Sequence, residues 1–292
     1  MMRVTDSMKH QWLSAGTSRL QTRQHEAMKQ ATTGYRVNAP SDDPTAAAEY
    51  LRKKAKIEQT ERYKENVEYV RVDLELAEGT LAEAGTIMQR VKEITVQASN
   101  GGTTPEHRAS LADEVGALRE AMLRLANTRG SKGSLFAGSQ TETDAFDAAG
   151  VFQGDDTTHR VAVGAGVTVQ ANISGAQAFT AAGGRDIFAD LVALRDALTA
   201  NDEVGVRASM DTIDASHAQI VNARGRAGLV LERLEATEGI LEQTSVELQT
   251  GAEASVTVEP HKAYSELVRL GNALETSIAV TRRLLDTASS RF

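Results

Sequence analysis

Two neighbouring carboxylates are the first candidates for site chemistry, because paired acids can hold a metal ion or exchange protons. Asp42 and Asp43 follow Ser41 and lie between Pro40 and Pro44. No histidine or further acid stands at ligand spacing nearby, so a metal site would lack its other ligands. An acid directly before a proline is typical of a helix start, with the acid as cap and the proline in the first turn. We interpret these five residues as a fixed kink that leads into a new helix.

The other candidates for catalysis are weaker. The six histidines are scattered and form no H-E-x-x-H pair, and we expect His217, on an apolar helical phase, to be packed or half-buried. The run 130–134 superficially suggests a phosphate loop, but it lacks the G-K-[ST] ending and is interpreted as a turn. No G-x-S-x-G elbow occurs. The sequence therefore predicts no catalytic residue, no metal site and no cofactor, and a protein that is not an enzyme.

Composition excludes several classes of partner. The formal net charge is -8, which disfavours binding to nucleic acid, and aromatic residues make up only 4%. The chain has no cysteine, which excludes disulfides and thiolate metal sites. No apolar run is long enough to span a bilayer, so we expect no membrane insertion. Residues 1–20 lack the apolar core of a signal peptide, so export would need another route.

The strongest periodic signal is an apolar stripe whose spacings alternate between three and four. It runs through Val67, Val70, Leu74, Ala77, Leu81, Ala84, Met88, Val91, Thr95 and Ala98. Such a stripe predicts a helix that packs along a coiled-coil-like seam. With its lead-in from Thr45, this helix would be roughly 80 Å long at about 1.5 Å per residue. The predicted fold is mainly α, an elongated helical bundle with paired terminal helices.

Further helices are predicted on both sides of a glycine-rich insert. Thr104 and Pro105 begin one, and others are expected near 185–200, 203–250 and 263–290. Inside the insert Val161 and Val163, then Val167 and Val169, alternate with a period of two about Gly164-Ala165-Gly166. This pattern predicts a small β-hairpin, with a strand near Ser134–Phe136 as a candidate addition.

The order of predicted elements is nearly the same from either end of the chain towards the insert: a weak helix, a kink and then long helices. This symmetry predicts three parts. They are a terminal helical coiled coil from 1–33 and 263–292, a rod of long helices from 34–129 and 185–262 with kinks at 34–44 and 251–262, and a β-rich outer module at 130–184.

The terminal helices carry apolar stripes too thin to order a helix alone. We therefore predict that they order against other subunits and form an assembly interface. The predicted interface consists of Val4, Met8, Trp12, Ala15, Leu267, Leu270, Leu274, Ile278 and Leu285. Heptad stripes alone more often indicate a bundle within one chain, so a generic coiled-coil protein, such as a chaperone or a signalling rod, stays open as an alternative.

Four segments resemble the flagellin superfamily, and within it the proteins that join hook to filament. Thr33–Pro44 followed by Ala46-Ala47 is similar to the superfamily's kink signature. Three later runs resemble, in order, its third helix, its entry into the variable β domain and a C-terminal motif shared with flagellin; they are Arg108–Asn127, Leu135–Phe146 and Arg226–Glu235. The resemblance covers nearly the whole chain. Filament flagellin is the nearest alternative, but Pro40 and Pro44 beside the acidic pair favour the junction group.

The resemblance implies a structural subunit of the bacterial flagellum that serves motility. It implies export in an unfolded state through the flagellar type III system, with a flagellar export chaperone on the C-terminal segment. Secreted copies would form a homo-oligomeric ring between hook-associated protein 1 and flagellin. The termini would lie in the inner wall of the tube, and the β module would face outward.

Overall fold

The computed structural model describes residues 6–180 and 185–289, and the side chains among them except at 6, 7, 9, 10 and 284–289. The helices in this part of the chain are α1 (Asp6–Thr33), α2 (Pro44–Ala98), α3 (Pro105–Ala126), α4 (Gly175–Phe179), α5 (Ile187–Thr199), α6 (Glu203–Val256) and α7 (Pro260–Ser289). The strands are β1 (Arg129–Gly130), β2 (Gly133–Ser134), β3 (Arg160–Gly164) and β4 (Val167–Gln170). The fold is mainly α, as predicted.

The chain forms two compact units. The terminal unit is built from both ends of the chain, up to Gln59 and from Thr244, and the central unit is Thr60–Gln243. Helices α2 and α6 each contribute one segment to each unit. The three-part division made from the sequence stays a prediction.

The predicted seam of α2 forms the core of the central unit. All ten of its residues from Val67 to Ala98 are buried, which confirms the alternating pattern. The nine apolar residues among them pack in one cluster with apolar residues of α3, α5 and α6. Ion pairs join the helices outside this core, with Arg90 Nε 2.7 Å from Glu114 of α3 and Lys92 Nζ 2.8 Å from Asp214 of α6. The half-buried position expected for His217 on α6 is also confirmed.

The insert is built from two separate strand pairs and an aromatic cluster. Strands β3 and β4 pair antiparallel, as the sequence predicts. The expectation that a strand near Ser134 would join them is wrong, because β2 pairs with β1 instead. On its other side, the Ser134 N–H donates to the Thr141 carbonyl at 2.8 Å. The last residues of the predicted module, 181–184, lie outside the described residues.

Five of the six phenylalanines of the chain meet at the base of this insert. The rings of Phe136 and Phe146 lie 5.4 Å and 5.6 Å from the ring of Phe179, which belongs to the short helix α4 that the sequence did not predict. Phe146 also lies 5.2 Å from both Phe152 and Phe188 of α5. The cluster attaches the insert to the helices through edge and tilted aromatic contacts.

The predicted break at 251–262 is too long. Helix α6 continues through Gly251 to Val256, and only residues 257–259 separate it from α7. The side chain of Lys53 of α2 lies against Gly251, and its ammonium donates to the Gly251 carbonyl at 2.7 Å. A glycine suits this position because a Cβ there would lie only 3.3 Å from Lys53 Nζ. Glycine here admits a neighbouring side chain and does not end the helix.

Arg108 of α3 is a buried charge that fixes the end of the central unit. It is only 2% exposed. Its guanidinium donates to the Ala98 carbonyl at 3.2 Å, to Asn201 Oδ1 at 2.6 Å and to Glu203 at 2.8 Å. One side chain thus joins the last turn of α2, the α5–α6 loop and the first turn of α6.

We expect Arg108→Ala to lower the free energy of unfolding of the central unit by about 2–4 kcal/mol, because it removes a buried side chain with all its contacts and leaves the buried Ala98 carbonyl without this donor. Urea denaturation followed by circular dichroism measures the change. Lys92→Ala is the matched control, since it removes an exposed ion pair and should cost less than about 1 kcal/mol. Equal losses in the two variants would contradict the role given to Arg108.

Candidate assembly site

The kink between α1 and α2 is held by backbone pairing with the end of α6. Gly34 ends α1 in the left-handed region, with φ of 75°. Its carbonyl accepts the Val258 N–H at 3.0 Å, and the Arg36 N–H donates to the Val256 carbonyl at 2.7 Å. Tyr35 and Thr257 form an isolated antiparallel bridge. This exchange fixes where the chain enters α2 and where it leaves α6.

Each carboxylate of the acidic pair is used within the kink. Asp42 Oδ2 accepts the backbone N–H groups of Asn38 and Ala39, both at 2.9 Å. Asp43 Oδ1 accepts the Thr45 and Ala46 N–H groups at 3.1 Å and 3.0 Å, so it caps α2, as predicted. Pro44 occupies the first position of the helix.

These contacts lower the pKa of both acids. Donation from the Ala39 and Asn38 amides stabilises the charged form and lowers the pKa of Asp42 below its ordinary value. For Asp43, the Ala46 amide and then the Arg36 guanidinium lower the pKa. Arg36 Nη1 lies 2.8 Å from Asp43, and its Nη2 donates to the Ser255 carbonyl at 3.1 Å. Arg36 therefore links the helix cap to the end of α6.

The geometry gives the kink a positioning role. Among the residues described, no three acids or histidines lie together in a way that could hold a metal ion. Within the same residues, no helix combines the length and apolarity needed to cross a bilayer.

An open apolar groove of about 330 Å³ lies beside the kink, lined by Tyr35, Val37, Pro40, Leu51 and Val256, among others.

Helices α1 and α7 pack against each other and run antiparallel. Thr17 Oγ1 lies 3.0 Å from Ser277 Oγ, and further along α1 Gln24 lies beside Gly271. The inner stripe of α1 is buried or half-buried and consists of Leu13, Thr17, Leu20, Gln24, Ala27 and Ala31. Small and polar side chains dominate this stripe, which is narrow even for a helix pair.

The structure divides the predicted interface residues into two groups. Leu267, Leu270, Leu274 and Ile278 are buried or half-buried on the face of α7 that carries Ser277 and Gly271. Met8, Trp12 and Ala15 are exposed and define the outer stripe of α1, with Trp12 80% exposed. Val4 and the side chain of Leu285 lie outside the described residues. The outer stripe through Trp12 is offset by one residue from the inner stripe through Leu13, which is about 100° around the helix.

Comparison with known proteins identifies relatives of this chain. Residues 6–141 match the family described as bacterial flagellin N-terminal helical region. The chain is 31% identical, over 61% of its length, to flagellar hook-associated protein 3 of Salmonella typhimurium. A solved structure of a flagellar hook-associated protein from Vibrio parahaemolyticus matches 74% of this chain and 100% of its own, with a TM-score of 0.68 and 22% identity. The flagellar junction protein from Legionella pneumophila matches 73% of this chain and 99% of its own, with a TM-score of 0.53 and 20% identity.

The extent of these matches is uneven. The chain spans about half the length of the curated hook-associated proteins it matches, 57% in one case and 46% in the other. Flagellins also match, at 26% and 27% identity over 84% and 83% of this chain. The identity is therefore higher to the hook-associated proteins, 31% and 35%, over shorter segments.

We expect the kink to lose order as the pH falls below about 4. Because the pKa of Asp42 and of Asp43 is lowered by folding, each carboxylate stabilises the kink above its unfolded pKa. That contribution is lost as the pH falls through the folded pKa. Two-dimensional NMR should show the Ala39 and Ala46 amide signals titrating together with the carboxyls.

A peptide of residues 36–47 supplies the unfolded reference, whose midpoints should be higher than those of the protein. In Asp43→Asn the titration at Ala46 should disappear while that at Ala39 remains. Identical midpoints in protein and peptide would show that the amide contacts do not bind the charged forms preferentially.

Proposed function

We propose that this chain, whose residues 6–141 match the flagellin N-terminal helical region, is a structural subunit of the bacterial flagellum at the junction between hook and filament. The observation that carries the proposal is its 31% and 35% identity to two proteins named flagellar hook-associated protein 3. The fold supports it, since the hook-associated protein from Vibrio parahaemolyticus matches this chain over its whole solved length.

The physical features of the terminal unit suit an assembling subunit. The kink fixes where the chain enters α2 and where it leaves α6, and its two acidic side chains are used in hydrogen bonds to backbone amides. The α1–α7 pair buries one narrow stripe and leaves Met8 and Trp12 in solvent. On α7, Tyr264 and Val268 are likewise exposed. Large apolar side chains exposed in this way on a narrow pair of helices favour further helix partners.

The partners follow from the same proposal. Copies of this chain form a ring whose two faces meet different proteins, hook-associated protein 1 and flagellin, so its contacts are heterologous. The type III system exports the chain unfolded to the outside of the cell, and an export chaperone protects the C-terminal segment. The terminal helices gain most of their order on assembly, since helices with such narrow stripes are marginal alone.

We expect the two groups of predicted interface residues to respond differently to an added charge. Leu270 is 3% exposed, so Leu270→Asp should disrupt the α1–α7 pair and lower the helical signal of the isolated protein. Trp12→Asp should change unfolding by less than about 0.5 kcal/mol, because Trp12 is exposed, but should prevent incorporation into flagella. Circular dichroism and complementation of motility measure the two effects.

Gln11→Asp is the control, since it adds the same charge at an exposed position of the same turn. It should preserve both motility and helical signal. If Trp12→Asp complements as well as Gln11→Asp does, the outer stripe of α1 is not an assembly surface.

We expect deletion of the gene to leave hooks without filaments, because flagellin would lack the ring on which it begins to polymerise. Electron microscopy of the cells and immunoblots of the medium should show bare hooks and released flagellin. Filaments of normal length in the deletion strain would contradict the junction proposal. Loss of filaments together with absence of any flagellin, inside or outside the cell, would instead favour the alternative that the chain is itself the filament subunit.

A further inference from the structure

A cavity of about 300 Å³ lies within the central unit, at the root of the insert. Tyr69 and Asp73 of α2 form one wall, and the β1–β2 pair with its Lys132 turn forms another. The start of β3, with Arg160, closes a third side. A volume of this size is at the lower end of that found for small-ligand sites.

The charges around this cavity are unevenly paired. Within the described part of the chain, no ion pair involves Lys132 or Arg160. Lys132 Nζ lies 4.2 Å from the centre of the Tyr69 ring, a cation–π contact that leaves N–H groups directed away from the ring available to a ligand. Asp73, the only acid among the described lining residues, accepts from the Ser131 N–H at 3.0 Å and from the Ser131 hydroxyl at 2.8 Å. The lining therefore has two cations without a carboxylate partner and one carboxylate already used.

Ser134 adds an independent observation. It also lines the cavity, is 4% exposed, and its Oγ has no hydrogen-bond partner in the described chain. Buried hydroxyl groups almost always have a partner, and one without it calls for a bound water, ion or ligand. The nearby His159 ring does not supply the bond, since its Nε2 lies 3.2 Å from the Gly138 carbonyl.

We propose that this cavity binds a small ligand through a phosphate or carboxylate group, held by Lys132, Arg160 and the Ser134 hydroxyl. Charged donors and a hydroxyl are the groups that bind oxyanions strongly. The net charge of -8 repels anions at long range, so affinity must come from these local contacts. A bound ligand would join the β1–β2 turn to the start of β3 and so stabilise the insert. The site does not depend on the proposed junction function.

Isothermal titration of the full-length protein with inorganic phosphate and with glucuronate tests the proposal, at ionic strength held constant with sodium chloride. We expect saturable binding of at least one of them and a melting temperature that rises with its concentration. Lys132→Gln and Arg160→Gln should each weaken binding about tenfold, the effect of losing one charged hydrogen bond. Stronger binding of phosphate would identify a phosphate ligand, and stronger binding of glucuronate an acidic sugar.

Two further variants separate ligand binding from folding. Arg129→Gln is the matched control, because Arg129 lies on the same strand pair but binds Asp144 at 2.8 Å; it should bind like the wild type. Ser134→Ala should melt at the wild-type temperature or higher without ligand, since its hydroxyl has no partner to lose, yet bind more weakly. Absence of saturable binding, or wild-type affinity in the Lys132, Arg160 and Ser134 variants, would overturn the proposal.

Discussion

The central unit depends on burying a continuous stripe of small and aliphatic side chains along α2. The stripe alternates between residues as small as Ala77 and Ala84 and longer ones such as Leu81 and Met88, all buried. Small residues in the stripe leave room for the side chains of the facing helices. Because aromatic residues are scarce, the core stays thin along the seam, and aromatic packing is concentrated at the base of the insert.

Polar contacts take over where the apolar stripes end. Arg108 closes one end of the central unit, and in the terminal unit Arg36, Asp42 and Asp43 hold the kink. The partners of these charges include backbone groups at helix ends, namely the Ala98 carbonyl for Arg108 and the Ala46 amide for Asp43, which helix ends leave open. The acidic pair that could suggest a metal site is used in the same way, with Asp43 as the cap of α2 and Asp42 as the acceptor for two amides of the kink.

The sequence predicted those features that depend on local patterns. The seam of α2, the Asp43 cap, the Thr104 cap of α3 and the β3–β4 hairpin all follow from spacing or from proline and glycine positions. What it could not predict depends on contacts outside the local pattern. Lys53 of α2 donates to the Gly251 carbonyl inside α6, Thr141 accepts from Ser134 on the free side of β2, and Arg108 joins the end of α2 to the start of α6.

The sequence predicts one interface with other subunits and does not separate it from the contact between α1 and α7. Met8 and Trp12 of that predicted interface are exposed, whereas Leu13, Thr17 and Leu20 form the inner stripe of α1. A single helix partner selects the stripe that allows close approach, which is the stripe of smaller side chains. The only tryptophan is left in water, although burying a large apolar side chain is worth roughly 1.5–3 kcal/mol. The exposed apolar side chains of the terminal pair would therefore gain free energy of burial only when additional helices pack against its outer side.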